Sequence, residues 1–423
     1  MSFPRGARPA LLALLALTVG TLFLAVPFGP GAQYRVDLDV YRLGAQAWLD
    51  GTPLYGPGFP VTRIGVALPF IYPPIAAVLF TPLLAVPFPV ASLALTVASG
   101  AAAIGVAAVT VRALGHRLQG WWVAASVPLI LLLDPVRLTL VLGQINILLL
   151  WPVTIDVVTG RGRPWRGVLV GLAAAVKLAP LVFVVWFLID RDRRAARNAV
   201  LTFGAATALG LVLAPAESVR YWTDQLFRLD PLLAPEYAGN QSIRAVVARL
   251  GLLPGQATAL WLLLAVGVLV LGAAVAYGCR RRDEPALGAL VVCCCGLLAS
   301  PISWSHHWVW CLPALPVLVD AASRWGVSWP LWFARTGLAL FAVGPHWLLP
   351  AQEHRELAWA GWQQVVGASY VLWGLALVVA AAVRPTGTGT RSRPASPPTP
   401  RSVAGRPDSS RSCNEPASAV DLG

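Results

Sequence analysis

Residues 36–42 read Val-Asp-Leu-Asp-Val-Tyr-Arg and continue to residue 55 as Leu-Gly-Ala-Gln-Ala-Trp-Leu-Asp-Gly-Thr-Pro-Leu-Tyr, just beyond the first apolar run. Apolar side chains share one face of this stretch at helical spacing, namely Val40, Leu43, Ala47 and Trp48. The spacing predicts one or two turns of amphipathic helix at a membrane surface. Gly51 and Pro53 are expected to end it. Two carboxylates, a phenol and a guanidinium thus cluster in one short segment, which makes it the first place to look for chemistry.

The composition of the chain predicts a membrane protein. Of 423 residues, 57% are hydrophobic and only 12% are charged. A soluble domain carries roughly 25% charged residues, so this chain cannot cover its surface with polar groups. The net charge of +13 does not indicate a nucleic-acid partner. Its basic residues lie in short clusters between apolar runs, as the positive-inside rule expects.

The apolar runs predict an all-α, polytopic fold with about twelve transmembrane helices, since a crossing needs about 20 residues. The runs lie near 10–28, 71–88, 90–111, 121–133, 145–158, 167–189, 198–215, 257–278, 286–299, 309–323, 329–345 and 362–383. An even number places both termini on the side of most arginine clusters, which identifies that side as the cytoplasm. These clusters are Arg5/Arg8, Arg191/Arg193/Arg194/Arg197, Arg280–Arg282, Arg324 and Arg384. The long loops 29–70, 216–256, 300–308 and 346–361 then face outward from the plasma membrane, and the active face is expected there.

Two basic clusters fall on the opposite side of this predicted topology. They are Arg112/Arg117 and Arg161/Arg163/Arg166. The runs between them, 121–133 and 145–158, are too short to cross alone, so we interpret them as broken or re-entrant helices that line a cavity. Residues 384–423 are rich in Pro, Ser, Thr and Arg and predict a disordered cytoplasmic tail. Residues 1–383 are left as one transmembrane domain.

The sequence carries no signature of a metal or cofactor. Cys293, Cys294 and Cys295 lie inside an apolar run and are interpreted as small packing residues. There is no CxxC pair, no Cys/His metal spacing, no P-loop and no dinucleotide fingerprint. We therefore expect neither a metal nor a cofactor.

Asp37 and Asp39 are the candidate catalytic residues of the first outer loop. A carboxylate near an apolar boundary can act as a general base on a hydroxyl. The alternative is that they are ordinary loop acids or a helix N-cap. Tyr72 lies in Phe-Ile-Tyr-Pro-Pro at 70–74, a candidate binding residue or simply an interfacial aromatic at a helix start.

Several further polar residues are candidate binding groups. Gln144, Asn146 and Lys177 lie inside apolar runs, where polar side chains are costly unless they pair or line a cavity. Lys177 could bind a lipid phosphate, or these groups could form a structural hydrogen bond between broken helices. His306 and His307, flanked by tryptophans, could bind phosphate or sugar hydroxyls, or serve only interfacial packing. As helical neighbours their rings point about 100° apart. Asn240 lies in another outer loop.

Six segments, in this order between about residues 37 and 310, together resemble glycosyltransferase family 87. They are DLDVYRLGAQAWLDGTPLY, FIYPPIAAVLFTPL, LGQIN, GLAAAVKLAP, NQSIRAVVAR and SPISWSHHW. The family belongs to the GT-C membrane glycosyltransferases and includes actinobacterial α-(1→2)-mannosyltransferases that use polyprenyl-phosphate mannose. The resemblance implies a GT-C fold, a polyprenyl-phosphate sugar donor and a glycolipid or lipoglycan acceptor, all among membrane lipids.

The resemblance also implies a catalytic base in the first outer loop, assigned to Asp37 with Asp39 as the fallback. A β-linked donor and an α-linked product imply a single inverting displacement. The base would take the acceptor proton while a cation or hydrogen-bond donor stabilises the leaving phosphate. The candidates for this second role are His306, His307, Lys177 and Arg42.

Two alternative functions remain open at this point. A lipid or sugar transporter would share the broken helices and the intramembrane lysine, but would predict inverted repeats and polar groups near the midplane. A GT-C enzyme that transfers another sugar, such as arabinofuranose or glucose, is hardly distinguished by sequence, and the acceptor is not identified either.

Overall fold

The computed structural model describes residues 34–118, 120–228 and 234–383. This part of the chain is all-α, as predicted, and holds only an isolated bridge between Asn240 and Trp304. The α-helices are α1 Val36–Asp50, α2 Pro74–Leu79, α3 Phe88–Ala113, α4 Gly120–Leu132, α5 Asp134–Leu142, α6 Asn146–Thr154, α7 Val168–Val176, α8 Val182–Ile189, α9 Arg193–Leu213, α10 Pro215–Arg220, α11 Ile243–Ala248, α12 Pro254–Arg281, α13 Pro285–Ala299, α14 Cys311–Trp325, α15 Trp329–Val343, α16 Gly361–Gly367 and α17 Ser369–Ala382. Short 3-10 turns lie at Thr81–Leu84, Ala179–Leu181, Ser305–Trp310, Pro345–Leu348 and Arg355–Ala358, and π turns at Ile155–Thr159 and Tyr221–Gln225.

Three described helices are long and apolar enough to cross a membrane, namely α3, α9 and α12. A fourth span results if α16 and α17, which are bent by 69° at their junction, count as one. These four match the predicted spans at 90–111, 198–215, 257–278 and 362–383. Shorter helices occupy most other predicted positions. The predicted span at 10–28 and the predicted tail at 384–423 lie outside the described residues, and the number twelve stays a prediction.

The predicted span at 71–88 is not a single helix. α2 begins at Pro74 and ends at Leu79, a 3-10 turn follows, and Pro87 precedes α3. Proline has no N–H to donate and pushes the residue before it away from helical geometry. The prolines at 82 and 87 therefore divide an apolar run that composition alone marks as continuous.

The predicted span at 167–189 is a helical hairpin. α7 ends before Lys177, whose backbone is extended at φ −148° and ψ 119°. The chain then returns through α8. At the far ends of the two helices, Arg166 pairs with Asp190 at 2.9 Å. Lys177 therefore lies at the tip of the α7–α8 hairpin.

Three arginines gather around Asp190, at the end of the hairpin opposite that tip. Asp190 pairs with Arg166, with Arg280 at 2.6 Å and with Arg161 at 3.6 Å. The predicted topology placed Arg161 and Arg166 on the side opposite to Arg280–Arg282, and this was wrong. Because 167–189 is a hairpin, the chain enters and leaves it at the same end, where Asp190 pairs with Arg161, Arg166 and Arg280. His116 pairs with Asp320 at 2.9 Å, which brings the loop of Arg112 and Arg117 to the end of α14, where Arg324 also lies.

The opening segment forms α1, a helix of 15 residues and longer than the predicted one or two turns. It ends at Gly51, whose φ of 68° is the left-handed cap expected there. Within the predicted apolar face Val40 and Ala47 are buried, whereas Leu43 and Trp48 are partly exposed. The buried side chains of α1 pack into an aromatic core that is separate from the core of the main bundle. Contacts within the protein therefore hold α1 in place.

Of the three apolar cores among the described residues, the two larger ones position the site. The larger one fills the bundle and includes Cys293, Cys294 and Cys295, all buried, in agreement with their predicted packing role. The smaller one joins α1 to the 70–80 segment and includes Leu38, Tyr41, Phe70, Tyr72 and Phe80. The candidate site lies where this smaller core meets the turn after α5.

Candidate active site

Asp37 lies on the first turn of α1, with Tyr41 one turn later on the same face. The Oδ2 atom of Asp37 accepts a hydrogen bond from Nε2 of Gln144 at 2.8 Å. The hydroxyl of Tyr41 donates to Oε1 of the same glutamine at 2.7 Å. These two bonds fasten the beginning of α1 to the turn that follows α5.

The turn after α5 depends on Gly143. Its φ of 74° is left-handed, and it ends the helix. A Cβ atom there would lie 2.8 Å from Cβ of Arg35 and 3.0 Å from Cβ of Leu38. Glycine therefore permits the close approach of α1 that brings Gln144 to Asp37.

Tyr72 completes the polar group around Gln144. Its hydroxyl is 3.1 Å from Oε1 of Gln144 and 3.0 Å from the hydroxyl of Tyr41. The hydroxyl of Tyr55 donates to the backbone carbonyl of Tyr72 at 2.7 Å. Tyr72 is thus fixed through both its main chain and its ring, beyond what a helix-start role would need.

Lys177 reaches the same region from the tip of the α7–α8 hairpin. Its Nζ donates to Oδ1 of Asn146 at 2.7 Å, lies 3.1 Å from Nε2 of His307 and sits 5.6 Å from the centre of the Tyr72 ring. An ammonium group has three N–H donors. Two are used by Asn146 and His307, and no oxygen or nitrogen of the described chain takes the third.

His307 contacts Lys177 as a neutral imidazole. Burial, and then the positive charge of Lys177, lower the pKa of His307 well below its usual value. Since a lysine ammonium only donates, Nε2 of His307 must accept, and its ring proton is on Nδ1. His307 therefore holds Lys177 in position and adds no positive charge of its own.

His306 takes a different position from its neighbour. The two rings are nearly perpendicular, at 88° with centroids 4.8 Å apart. The backbone carbonyl of His306 accepts from Nδ2 of Asn146 at 3.2 Å, while its ring nitrogen Nε2 is buried without a partner among the described residues. Of the histidine pair, only His307 is brought to Lys177.

Asp39 is turned away from this group because it lies two residues after Asp37 on the helix. Its buried carboxylate accepts from the Tyr34 hydroxyl at 2.8 Å and from the backbone N–H of Arg63 at 2.9 Å. The guanidinium of Arg63 adds an ion pair at 3.3 Å. Asp39 therefore anchors the 52–70 loop onto α1.

Arg42 and Asn240 also lie apart from the group around Gln144. Arg42 donates to the backbone carbonyls of Leu83 and Val86, the latter at 2.8 Å. Asn240 donates to the carbonyl of Pro235 at 3.0 Å and accepts from the N–H of Ser303 at 3.0 Å. Both side chains therefore tie loops together.

The titratable side chains of the site are partly exposed, whereas the side chains that hydrogen-bond to them are buried. Asp37, Lys177 and His307 are half-buried, and the supporting side chains Tyr41, Tyr72, Gln144 and Asn146 are buried. The carboxylate, the ammonium and the imidazole of the site therefore keep part of their surface accessible.

Burial raises the pKa of Asp37 from 3.8 to about 6, although the hydrogen bond from Gln144 and the charge of Lys177 act in the opposite direction. A carboxylate with a pKa near 6 is a stronger base than an exposed one and is still largely ionised at neutral pH. The arrangement can therefore remove a proton from a bound hydroxyl.

Tyr41, which donates to Gln144, is missing from the predicted site residues. The signal was present, since Tyr41 follows Asp37 by four residues and so shares its helix face. Neither at this site nor elsewhere in the described ranges does a group of three or more His, Cys, Asp or Glu side chains lie where it could hold a metal ion.

Comparison with known proteins identifies the relatives of this chain. The family described as glycosyltransferase family 87 matches residues 70–301. A polyprenol-phosphate-mannose-dependent alpha-(1-2)-phosphatidylinositol mannoside mannosyltransferase of Mycobacterium tuberculosis (strain ATCC 25618 / H37Rv) is 40% identical over 381 residues, covering 85% of this chain and 87% of the relative. Its namesake in Mycolicibacterium smegmatis (strain ATCC 700084 / mc(2)155) is 39% identical, covering 82% and 83%.

A second kind of relative is more distant. A polyprenol-phosphate-mannose-dependent alpha-(1-2)-phosphatidylinositol pentamannoside mannosyltransferase of Mycobacterium tuberculosis (strain CDC 1551 / Oshkosh) is 34% identical over 386 residues, covering 86% of this chain and 85% of the relative. No solved structure matches the chain significantly.

Proposed function

This chain belongs to glycosyltransferase family 87, and on that premise we propose that it transfers mannose from polyprenyl-phosphate mannose to a phosphatidylinositol mannoside, forming an α-(1→2) bond. The observation that carries the proposal is that the half-buried carboxylate of Asp37 and the ammonium of Lys177, which has one N–H without a partner among the described residues, lie on the two sides of Tyr72. The relatives at 40% and 39% identity favour a phosphatidylinositol mannoside acceptor over the pentamannoside named for the relative at 34%.

The reaction follows from the chemistry of these two groups. The acceptor hydroxyl gives its proton to Asp37 as its oxygen attacks the anomeric carbon. The bond from that carbon to the phosphate oxygen breaks, and its electron pair leaves with the polyprenyl phosphate. Lys177 stabilises the negative charge that develops on the phosphate. A single displacement of this kind inverts a β-linked donor to an α-linked product.

The environments of the two aspartates favour Asp37 as the base. Asp39 is buried with Tyr34 and Arg63 on its carboxylate, and it would have to break these bonds to reach a substrate. Asp37 has one donor, Gln144, on Oδ2. Its other oxygen receives no hydrogen bond from the described residues and is available for a proton.

The contacts of Lys177 favour it as the phosphate ligand. Its ammonium is held by Asn146 and His307 with one N–H free. A neutral His307 is better suited to hold the lysine than to neutralise phosphate. Arg42 is occupied by two backbone carbonyls and would have to leave them.

We extend the proposal to the membrane. The arginines at the Asp190 end of the bundle would face the cytoplasm under the positive-inside rule. The site, at the opposite end, would then open to the extracytoplasmic side of the plasma membrane. The corrected positions of Arg161 and Arg166 support this topology because they remove a conflict with the rule. A multi-pass GT-C fold, with residues 10–28 as the first crossing and 384–423 as a cytoplasmic tail, completes the proposal.

An assay of purified protein with a panel of donors and acceptors tests this function. The protein is incubated with polyprenyl-phosphate mannose, glucose or arabinofuranose and with phosphatidylinositol mannosides of increasing length, and products are identified by mass spectrometry. We expect a hexose added from the mannose donor to short mannosides. Transfer of a different sugar, or none from any donor, would refute the proposal.

A further inference from the structure

The side chain of Gln144 is held by hydrogen bonds at both ends of its amide. Its Oε1 accepts from Tyr41 at 2.7 Å and lies 3.1 Å from the hydroxyl of Tyr72, while its Nε2 donates to Oδ2 of Asp37 at 2.8 Å. The side chain is buried. Its contacts therefore lie within the protein, and its orientation is set by its neighbours.

These neighbours allow only one orientation of the amide while Asp37 is ionised. A flipped amide would put Oε1 against Oδ2 of Asp37 at 2.8 Å, with no hydrogen between two acceptors. In the observed orientation the tyrosine hydroxyls supply hydrogens to Oε1, and the NH₂ group is directed at the carboxylate. The two tyrosines therefore determine that the Nε2 atom of Gln144, and not its Oε1 atom, contacts Asp37.

The consequence for Asp37 is a fixed carboxylate with two unequal oxygens. Oδ2 is held by Gln144, and no donor among the described residues reaches Oδ1. Rotation of the carboxylate would break the bond to Gln144. Oδ1 is therefore the atom presented for a proton, in a direction set by a side chain from the turn after α5.

The backbone reinforces this arrangement through Gly143. Because the left-handed glycine lets Arg35 and Leu38 approach within contact distance, Gln144 meets the first turn of α1 at the position of Asp37. Three separate segments thus converge on one amide: α1 through Tyr41, the 70–74 segment through Tyr72, and the turn itself.

We propose that Gln144 is a positioning residue, locked by Tyr41 and Tyr72, that fixes Asp37 so that its Oδ1 faces the acceptor hydroxyl. The inference rests on the proposed function, since it assigns a task to Asp37 in that reaction. It gives Gln144 a role other than contact with donor or acceptor. Gln144 acts only through Asp37 and does not itself touch the reacting atoms.

The pH dependence of kcat/KM separates this role from a structural or substrate-binding one. Charged or titratable groups that act on Asp37 come from α1 (Tyr41), from the 70–74 segment (Tyr72) and from the hairpin tip (Lys177). A hydrogen bond donated to an ionised carboxylate lowers its pKa. Removal of the donor in Gln144→Leu should therefore move the acid limb of kcat/KM to higher pH.

The expected loss in Gln144→Leu at neutral pH is about 10- to 100-fold in kcat/KM, the size of a lost hydrogen bond to a charged group. Most of it should be in kcat, with the donor KM little changed. The nearly isosteric Gln144→Glu places a second carboxylate beside Asp37 and should shift the acid limb further in the same direction. Because it preserves shape, this variant keeps the test valid if Gln144→Leu does not fold.

Gln46→Leu is the matched control, since Gln46 donates to Asp50 at 2.8 Å on the exposed side of the same helix. Its acid limb should stay at the wild-type position. The positioning role is refuted, while the proposed function stands, if wild type transfers mannose and the Gln144 variants keep the wild-type acid limb. The same conclusion follows if the only change in these variants is a raised KM for the donor. If wild type transfers no mannose, both are refuted.

Discussion

Replacement of Asp37 by asparagine should abolish turnover and at the same time stabilise the fold. The Asn side chain keeps an oxygen that can accept from Gln144, so the packing of α1 is preserved. Without a group that can take the proton, the transfer rate should fall by about 10²- to 10⁴-fold. The donor KM should change little, because Lys177 and its supports are untouched.

The stability gain follows from the pKa of Asp37. Burial raises that pKa from 3.8 to about 6, so the folded protein disfavours the charged form. A pKa difference of one between the folded and unfolded states corresponds to about 1.4 kcal/mol. Ionised Asp37 therefore lowers the free energy of unfolding by up to about 3 kcal/mol at neutral pH. The cost is fully present above about pH 6 and disappears below the unfolded value near 3.8. The asparagine variant should therefore melt higher than wild type at pH 7.5, and the difference should be much smaller at pH 4.

Transfer rates and thermal unfolding of the purified proteins, followed by tryptophan fluorescence at the two pH values, test both halves. Asp39→Asn is the matched control and should behave in the opposite way. It weakens the ion pair with Arg63, so it should melt lower and keep most of its activity. Near-normal turnover in Asp37→Asn would refute its role as the base. If Asp37→Asn is inactive and melts lower than wild type, the loss of turnover is explained by impaired folding and not by the missing base.

Three other predictions follow from the same site. His307→Ala should raise the donor KM and lower the rate strongly because Lys177 loses its acceptor, whereas His306→Ala should have the smaller effect; equal effects in steady-state assays would contradict the assignment. In wild type, kcat/KM should decline as pH falls through about 6, where Asp37 becomes protonated; a flat profile between pH 5 and pH 7 would count against a carboxylate base. EDTA should leave transfer unchanged, and inhibition that Mn²⁺ or Mg²⁺ reverses would recast the Asp-Leu-Asp segment as a metal ligand.

The sequence is sufficient for the all-α class and names several residues of the candidate site. Composition alone indicated a helical membrane protein, and Asp37, Gln144 and Lys177 were each conspicuous as polar residues among apolar ones. Their convergence could not be read from periodicity. Gln144 lies 107 positions from Asp37, and contacts at that separation depend on the packing of the whole bundle.

Two local contacts differ from what the sequence pattern indicates. The run 167–189 has the length and composition of a span, but the chain reverses at Lys177, and an ion pair between Arg166 and Asp190 joins its two ends. Arg42 stays a candidate phosphate ligand, but its guanidinium donates to the backbone carbonyls of Leu83 and Val86, which its place in the motif does not indicate. Hydropathy and motifs contain no information about either contact.

The anomeric configuration of the newly formed bond tests the central claim most directly. Purified wild-type protein is given β-linked polyprenyl-phosphate mannose and a phosphatidylinositol mannoside, and the product is analysed by NMR. A single displacement with Asp37 as base predicts an α-(1→2)-linked mannose. A β-linked product would require two successive displacements and a covalent intermediate, and it would contradict the account.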